Sequence, residues 1–257
     1  MQEVTKAVLV EAHGVSKQFQ SGTSKVVALE NMDLEIREGE LVALLGPSGC
    51  GKSTLLNIIG GLLTPSSGVV KVAGETLTGP RRDIGMMFQT PVMFPWRTTL
   101  ENVLVPVDVF GWSRKDYRER ALELLEMVDI QGFADSYPWQ LSGGMQQRAA
   151  LCRVLICDPK LLLLDEPFGA LDEFTREAMD LELLSLWNRT AKTIAFVTHN
   201  INEAVFMSDR VAVMSSRPGR LVGMLDVPLP RPREIEIMRT REFADLAFTA
   251  RAMLGNQ

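Results

Sequence analysis

The chain has 257 residues, 46% of them hydrophobic and 23% charged, enough to bury a sizeable core as one large domain or two small ones. Its formal net charge of −5 removes the electrostatic case for a nucleic-acid partner, because phosphate backbones favour a basic field. Three cysteines, Cys50, Cys152 and Cys157, cannot all pair within the chain and show no metal-ligand spacing, which predicts a reducing compartment.

In chain order, residues 1–14 have no long apolar run behind their single lysine, so no signal peptide is expected. Residues 26–45 alternate as strands do, with Met32, Leu34 and Ile36 on one face, and a second apolar burst, Leu41 to Leu45, runs into a glycine-rich turn. Helical periodicity follows, with Leu55, Ile58, Ile59 and Leu62 on one face and Pro65 as the stop. Residues 68–73 and 83–88 read as strands. From about 97 to 158 the pattern is mainly helical, with Leu122, Leu125 and Val128 on one face beside a charged run, Arg114 to Arg120, which reads as a solvated surface. Three continuous apolar runs, 161–165, 193–198 and 210–214, read as buried parallel strands. A proline-spaced linker and a last helix, with Phe243, Leu246, Ala250 and Met253 on one side, complete the chain. Nowhere do about eighteen apolar residues run together, the length a membrane-spanning helix needs, so a soluble chain is expected.

The glycine-rich turn reads Gly46-Pro47-Ser48-Gly49-Cys50-Gly51-Lys52-Ser53. Glycine, four residues, then Gly-Lys-Ser between a strand and a helix is a phosphate cradle. Its glycines let backbone N–H groups turn inward, and the following helix aims its N-terminus at the anion. Lys52 would reach the β- and γ-phosphates and the Ser53 hydroxyl would coordinate Mg²⁺. A plain glycine turn would not need that strand and helix around it. Such a cradle requires an acidic partner at the end of another buried strand, and Leu161 to Leu164 followed by Asp165 and Glu166 supply one. Asp165 would hold the magnesium shell, and Glu166 would orient or deprotonate the attacking water. Alone, two acids after a strand are common; beside the cradle they gain weight.

Leu141-Ser142-Gly143-Gly144-Met145-Gln146-Gln147-Arg148 narrows the reading, because it resembles the signature sequence of ABC ATPases. Physically it is a second anion site, with Ser142 as N-cap ahead of two glycine amides and a helix N-terminus. Other landmarks of that family stand in family order. Phe19 resembles the aromatic that stacks on adenine, although it could be an ordinary strand aromatic. Gln89 resembles the Q-loop glutamine that senses magnesium and the attacking water, and Ala170-Leu171-Asp172 the D-loop that crosses the dimer interface. His199 resembles the switch histidine at the γ-phosphate, where a lone histidine would otherwise be read as structural. Met145 departs from the commonest signature, which has glutamine there. Met145, together with residues 90–103 and 215–220, resembles the importer group for nitrate, sulfonate, taurine and pyrimidine precursors.

The resemblance implies an α/β fold of the P-loop NTPase (RecA-like) type, with an antiparallel β subdomain and an inserted α-helical signature subdomain. It implies one ATPase domain over 1–257, with helices at about 97–158 and a helical tail at about 231–257. ATP and Mg²⁺ are the implied cofactors. Nucleotide contacts would run from Phe19 and Gly46, Pro47, Ser48, Gly49, Cys50, Gly51, Lys52, Ser53 and Thr54 to Ser142, Gly143 and Gly144 of a second subunit. Metal contacts would come from Ser53, Gln89 and Asp165, and catalysis from Glu166, His199, Gln89 and Lys52. Partners would be a second copy or a related ATPase in a head-to-tail dimer, integral-membrane permease subunits, and a separate substrate-binding protein. The chain would then sit peripherally on the cytoplasmic face of the membrane, with residues 90–99 gripping the permease. The rival reading is an ABC ATPase of DNA repair or translation; such chains carry two cassettes or long coiled-coil insertions, which are lacking here. A bulky adduct on Cys50 would crowd the phosphates, so a maleimide is expected to inactivate through that thiol.

Overall fold

The computed structural model describes residues 6–22, 24–169, 171–190 and 192–255. The chain divides into two units, one formed by Met1–Arg81 with Leu184–Gln257 and the other by Arg82–Leu183.

In the first unit, β1 (Val8–Ser21) and β2 (Ser24–Arg37) form a long antiparallel pair, extended by β4 (Ser67–Val72) and β5 (Glu75–Thr76). The alternation of β2 is realised: Met32, Leu34 and Ile36 are buried while Asn31, Asp33 and Glu35 face solvent. A second sheet places β3 (Leu41–Leu45) between two parallel neighbours, β8 (Thr193–Thr198) and β9 (Arg210–Met214), with Val42 opposite both Ala195 and Arg210. All residues of β3 and β8 are buried, which is why these runs lack alternation. An edge strand, β10 (Leu221–Asp226), runs antiparallel to β9.

Helix α1 (Lys52–Ile59) leaves β3 through the glycine loop and buries Leu55, Leu56, Ile58 and Ile59. Its end corrects the sequence reading. The helix closes at Gly60, the chain turns left-handed at Gly61 (φ 72°), and Leu62 donates back to the Asn57 carbonyl at 2.9 Å. Leu62 is therefore off the buried face and 49% exposed, and Pro65 comes too late to act as the stop.

Helix α7 (Ile201–Met207) follows β8, and α8 (Arg241–Gly255) ends the described chain with Phe243 and Ala250 buried. The proline-spaced segment before α8 is a strap rather than a loose linker. Buried Arg233 donates to the carbonyls of Val205 (3.1 Å), Phe206 (2.8 Å) and Ser208 (2.8 Å), satisfying groups that the end of α7 leaves unpaired. Arg231 pairs with Asp209 at 2.8 Å and lies over the Trp187 ring.

The second unit pairs β6 (Ile84–Met87) in parallel with β7 (Leu161–Asp165). Between them in sequence lie α2 (Thr99–Val103), α3 (Val105–Val109), α4 (Arg114–Met127) and α5 (Gly143–Leu155). Thr98 and Glu101 close a reciprocal capping box at the start of α2. Of the predicted face, Leu125 and Val128 are buried, together with Ala121 and Leu124, whereas Leu122 is only half-buried. The charged run before it is mostly solvated, as expected, but Arg114 is engaged with Asp108 at 2.5 Å. Helix α6 (Glu173–Thr190) carries the chain from the second unit into the first. No helix among the described residues is long and apolar enough to cross a membrane.

Candidate functional site

The phosphate-loop residues, 46–51, join β3 to α1 as predicted. Gly49 (φ 76°) and Gly51 (φ 105°) are left-handed, a conformation that costs an L side chain about 1–2 kcal/mol. At Gly51 space forbids a side chain as well, since a Cβ would lie 2.8 Å from the Ala28 carbonyl oxygen and from a Leu29 methyl. Lys52 is 5% exposed, and its ammonium donates to the carbonyls of Gly46 (2.7 Å) and Pro47 (3.0 Å), so the charge lies across the loop. Ser53 and Thr54 open α1.

Cys50 corrects the expectation of a reactive thiol. It is 1% exposed, and burial raises its pKa above the ordinary value despite the opposing pull of Lys52. Both low access and a scarce thiolate disfavour attack on maleimide. The described cysteines are all free, and Cys152 is fully buried in α5.

Phe19, 41% exposed, lies on β1 opposite Val26, with the Lys17 ammonium 5.4 Å from its ring centroid. An exposed face on a rigid strand can accept a stacked base. His199 follows β8 directly and faces solvent. The turn beyond it is fixed: Asn200 accepts from the amides of Asn202 (2.9 Å) and Glu203 (3.3 Å), and the Asn200 amide donates to the Thr198 hydroxyl at 2.9 Å. Thr198 and Glu203 also share a short hydrogen bond. These residues position the histidine, and only the Asn before an apolar run was a readable helix-start signal.

In the second unit, Gln89 stands two residues past β6, and Asp165 and Glu166 stand at the end of β7. The parallel pairing brings these tips together, and the Gln89 amide donates to a Glu166 carboxylate oxygen at 3.1 Å. Glu166 has φ 44°, an uncommon conformation for a residue with a side chain. Such strain, of about 1–3 kcal/mol, concentrates at functional positions.

Ser142 is the N-cap of α5, its hydroxyl accepting from the Met145 amide at 3.3 Å, and it stands exposed with Gly143 while Gly144 is half-buried. A Cβ on Gly144 would meet Thr175 at 3.4 Å and Leu171 at 3.8 Å, which places the signature turn beside the D-loop. Asp172 caps α6 through Thr175, accepting from its amide (3.0 Å) and its hydroxyl (2.7 Å), and these bonds lower its pKa. Arg176 holds the Leu171 carbonyl at 2.8 Å. Ala170 falls outside the described residues.

In the 90–99 loop, Trp96 is 70% exposed and leans on Phe94, 5.4 Å between centroids. Sequence reasoning missed what shapes this loop. Buried Asn102 donates to the carbonyls of Phe94 (3.1 Å), Arg97 (3.0 Å) and Thr98 (3.0 Å) and accepts from the Phe94 amide at 2.8 Å.

A buried strand, a left-handed glycine loop, a lysine laid across that loop and a helix beyond it define a P-loop nucleotide-binding protein. The ABC transporter family matches residues 29–169. An aliphatic sulfonates import ATP-binding protein of Bacillus cereus is 43% identical, covering 87% of this chain and 88% of the relative. A nitrate import ATP-binding protein of Synechocystis is 44% identical, covering 90% and 87% respectively. A dimeric ATP-binding cassette, solved in a post-hydrolysis state with ADP and Pi, superposes with a TM-score of 0.77 at 37% identity, over 86% of this chain and all of that one. The chain belongs to the ABC transporter family and is an ATP-binding, ATP-hydrolysing subunit of that family. The rival reading as a DNA-repair or translation ATPase is not favoured by these relatives.

Proposed function

We propose that two copies of this chain, or this chain and a close relative, pair head to tail around ATP and drive import of a small anion such as a sulfonate. The chain would be one ATPase domain with its signature helices at about 97–158, held peripherally on the cytoplasmic side of the membrane by permease subunits. A separate substrate-binding protein would select the cargo, which never touches this subunit.

The observation that carries the reading is the Lys52 ammonium folded over a glycine loop whose backbone is left-handed at two positions. Lysine placed there would exchange its two carbonyl partners for β- and γ-phosphate oxygens, which are stronger, charged acceptors. Phe19 would stack on adenine, and the loop from Gly46 to Thr54 would cradle the phosphates. Ser142, Gly143 and Gly144 of the opposite copy would complete the sandwich with backbone amides. Ser53, Gln89 and Asp165 offer hydroxyl, amide and carboxylate oxygens, a hard donor set that suits Mg²⁺. When bound, that ion would neutralise charge on the β- and γ-phosphates. Glu166 would accept the proton of the attacking water, steadied by Gln89, while His199 would contact the γ-phosphate. Loss of the bridging triphosphate would open the pair, and the loop around Trp96 would pass that motion to the permease.

Reconstitution tests this reading. The chain should co-purify with an integral-membrane permease subunit, and ATP hydrolysis in vesicles should rise when a substrate-binding protein is loaded with an alkanesulfonate. A chain that binds ATP yet never associates with a membrane protein would refute the transport role.

A further inference from the structure

We propose that Arg217 is a positioning residue of the phosphate loop, holding the Gly49–Cys50 peptide in the orientation that nucleotide binding requires. The inference rests on the reading of residues 46–53 as the nucleotide cradle. Two guanidinium nitrogens of Arg217, Nε at 3.2 Å and Nη2 at 3.1 Å, donate to the carbonyl oxygen of Gly49. A trans peptide is planar, so its C=O and the next N–H point in opposite directions. Drawing the Gly49 carbonyl toward Arg217 turns the Cys50 amide to the other side, into the loop. There its acceptor is the Pro47 carbonyl at 3.3 Å, the same oxygen that takes the Lys52 ammonium at 3.0 Å. A glycine with φ 76° can rotate this peptide easily, and a flipped peptide would present a carbonyl dipole to the phosphates. The arginine, with two donors on one carbonyl oxygen, removes that alternative.

Arg217 is itself held by a stiff support. Residues 215–220 follow β9, and the Ser215 hydroxyl braces them by accepting from the Arg220 amide at 2.9 Å and donating to the Pro218 carbonyl at 3.0 Å. Gly219 pairs with β2, its amide donating to the Ala28 carbonyl at 2.9 Å and its carbonyl accepting from the Glu30 amide at 3.0 Å. Arg220 clamps the Glu30 carboxylate at 2.5 Å. A Cβ on Gly219 would sit 2.0 Å from the Cys50 carbonyl oxygen, so only glycine lets this segment lie against the phosphate loop. The segment is thus pinned to β2 on one side and presses on residues 49–50 on the other. Arg217 itself is exposed, so its loss removes no core packing.

The test compares Arg217→Ala, Arg217→Lys and Lys52→Ala in the full chain, by calorimetric titration with ADP and Mg-ATP, ATPase kinetics, and melting without nucleotide. Arg217→Ala should weaken both nucleotides about tenfold, the size of a lost charged hydrogen bond, and raise KM for ATP similarly. Its kcat should change by less than about twofold, since no reacting atom is touched. Its nucleotide-free melting point should match wild type, and Arg217→Lys should bind with intermediate affinity. Wild-type affinity in Arg217→Ala, alongside lost binding in Lys52→Ala, would overturn the role of Arg217 and leave the cradle standing. Weakened binding with an equally lowered melting point would also overturn it, by showing a structural role. Wild-type binding in Lys52→Ala would remove the cradle reading and this inference with it.

Discussion

Gln89 and Glu166, 77 positions apart in sequence, meet through one hydrogen bond of 3.1 Å because β6 and β7 run parallel and end together. The glutamine amide holds one carboxylate oxygen of the residue proposed to activate water. Removing it in Gln89→Ala should leave ATP affinity near wild type and lower kcat about tenfold or more, since a misplaced base is a poor base. Steady-state kinetics with separate binding titrations check this; a matching fall in affinity would show that Gln89 acts mainly on nucleotide binding.

Lys52→Ala removes the ammonium laid over the phosphate loop. Affinity for Mg-ATP should fall by at least about a hundredfold, as expected when a charge-assisted contact to phosphate is lost from a water-poor site. Phe19→Ala should weaken binding less and blur adenine preference only modestly, because stacking tolerates any base. Calorimetry on both variants ranks the two effects.

Cysteine labelling should follow burial rather than position in the cradle. Native protein treated with a maleimide should carry its adduct first on Cys157, which is half-buried. Cys50 and Cys152, both buried with pKa values raised by that burial, should label only after denaturation. Burial raises the pKa of all three thiols and so leaves less thiolate at neutral pH on each, which makes access the factor that orders them. Peptide mass spectrometry decides it, and rapid native labelling at Cys50 would contradict the burial.

Asp108 provides a stability test away from nucleotide. Hydrogen bonds from Arg114 first, and then Arg97, hold its carboxyl at about 2, below the ordinary 3.8. A depressed pKa means stability that is present above the unfolded value and lost as pH falls through the folded one. The difference between wild type and Asp108→Asn should therefore be about 1 kcal/mol at pH 7, given partial solvent screening. It should shrink as pH falls from about 4 toward 2. Urea titrations at several pH values measure it.

Much of this was legible in the sequence, for identifiable reasons. Strands β3, β7, β8 and β9 are buried parallel strands, so their continuous apolar runs stand out. The phosphate loop, the signature turn and the acidic strand end are local motifs whose chemistry requires fixed spacing. Helix α6 has no sharp apolar stripe to announce it, and β10 is a half-buried edge strand. At Leu62 the apolar periodicity misleads, because it continues past the helix that Gly60 and Gly61 end. Relationships such as Arg217 with Gly49, 168 positions apart, arise only when β9 and β3 lie side by side. The burial of Cys50 is likewise a property of the fold and not of its neighbours in sequence.

In the proposed cycle two copies close around ATP, and hydrolysis assisted by Glu166 releases them. Glu166→Gln keeps the side chain's shape and hydrogen-bonding capacity but cannot accept a proton. It should hydrolyse ATP at least about a hundredfold more slowly than wild type. In the proposed sandwich it would also remove a negative charge beside the triphosphate, which would favour the closed pair. Size-exclusion chromatography with light scattering, at saturating ATP, should show Glu166→Gln as a dimer and wild type with ADP as a monomer. Adding Ser142→Arg should return the variant to a monomer that still binds ATP, because the disrupted contact belongs to the opposite copy. A Glu166→Gln protein that stays monomeric with ATP bound, or a double variant that dimerises normally, would contradict the account.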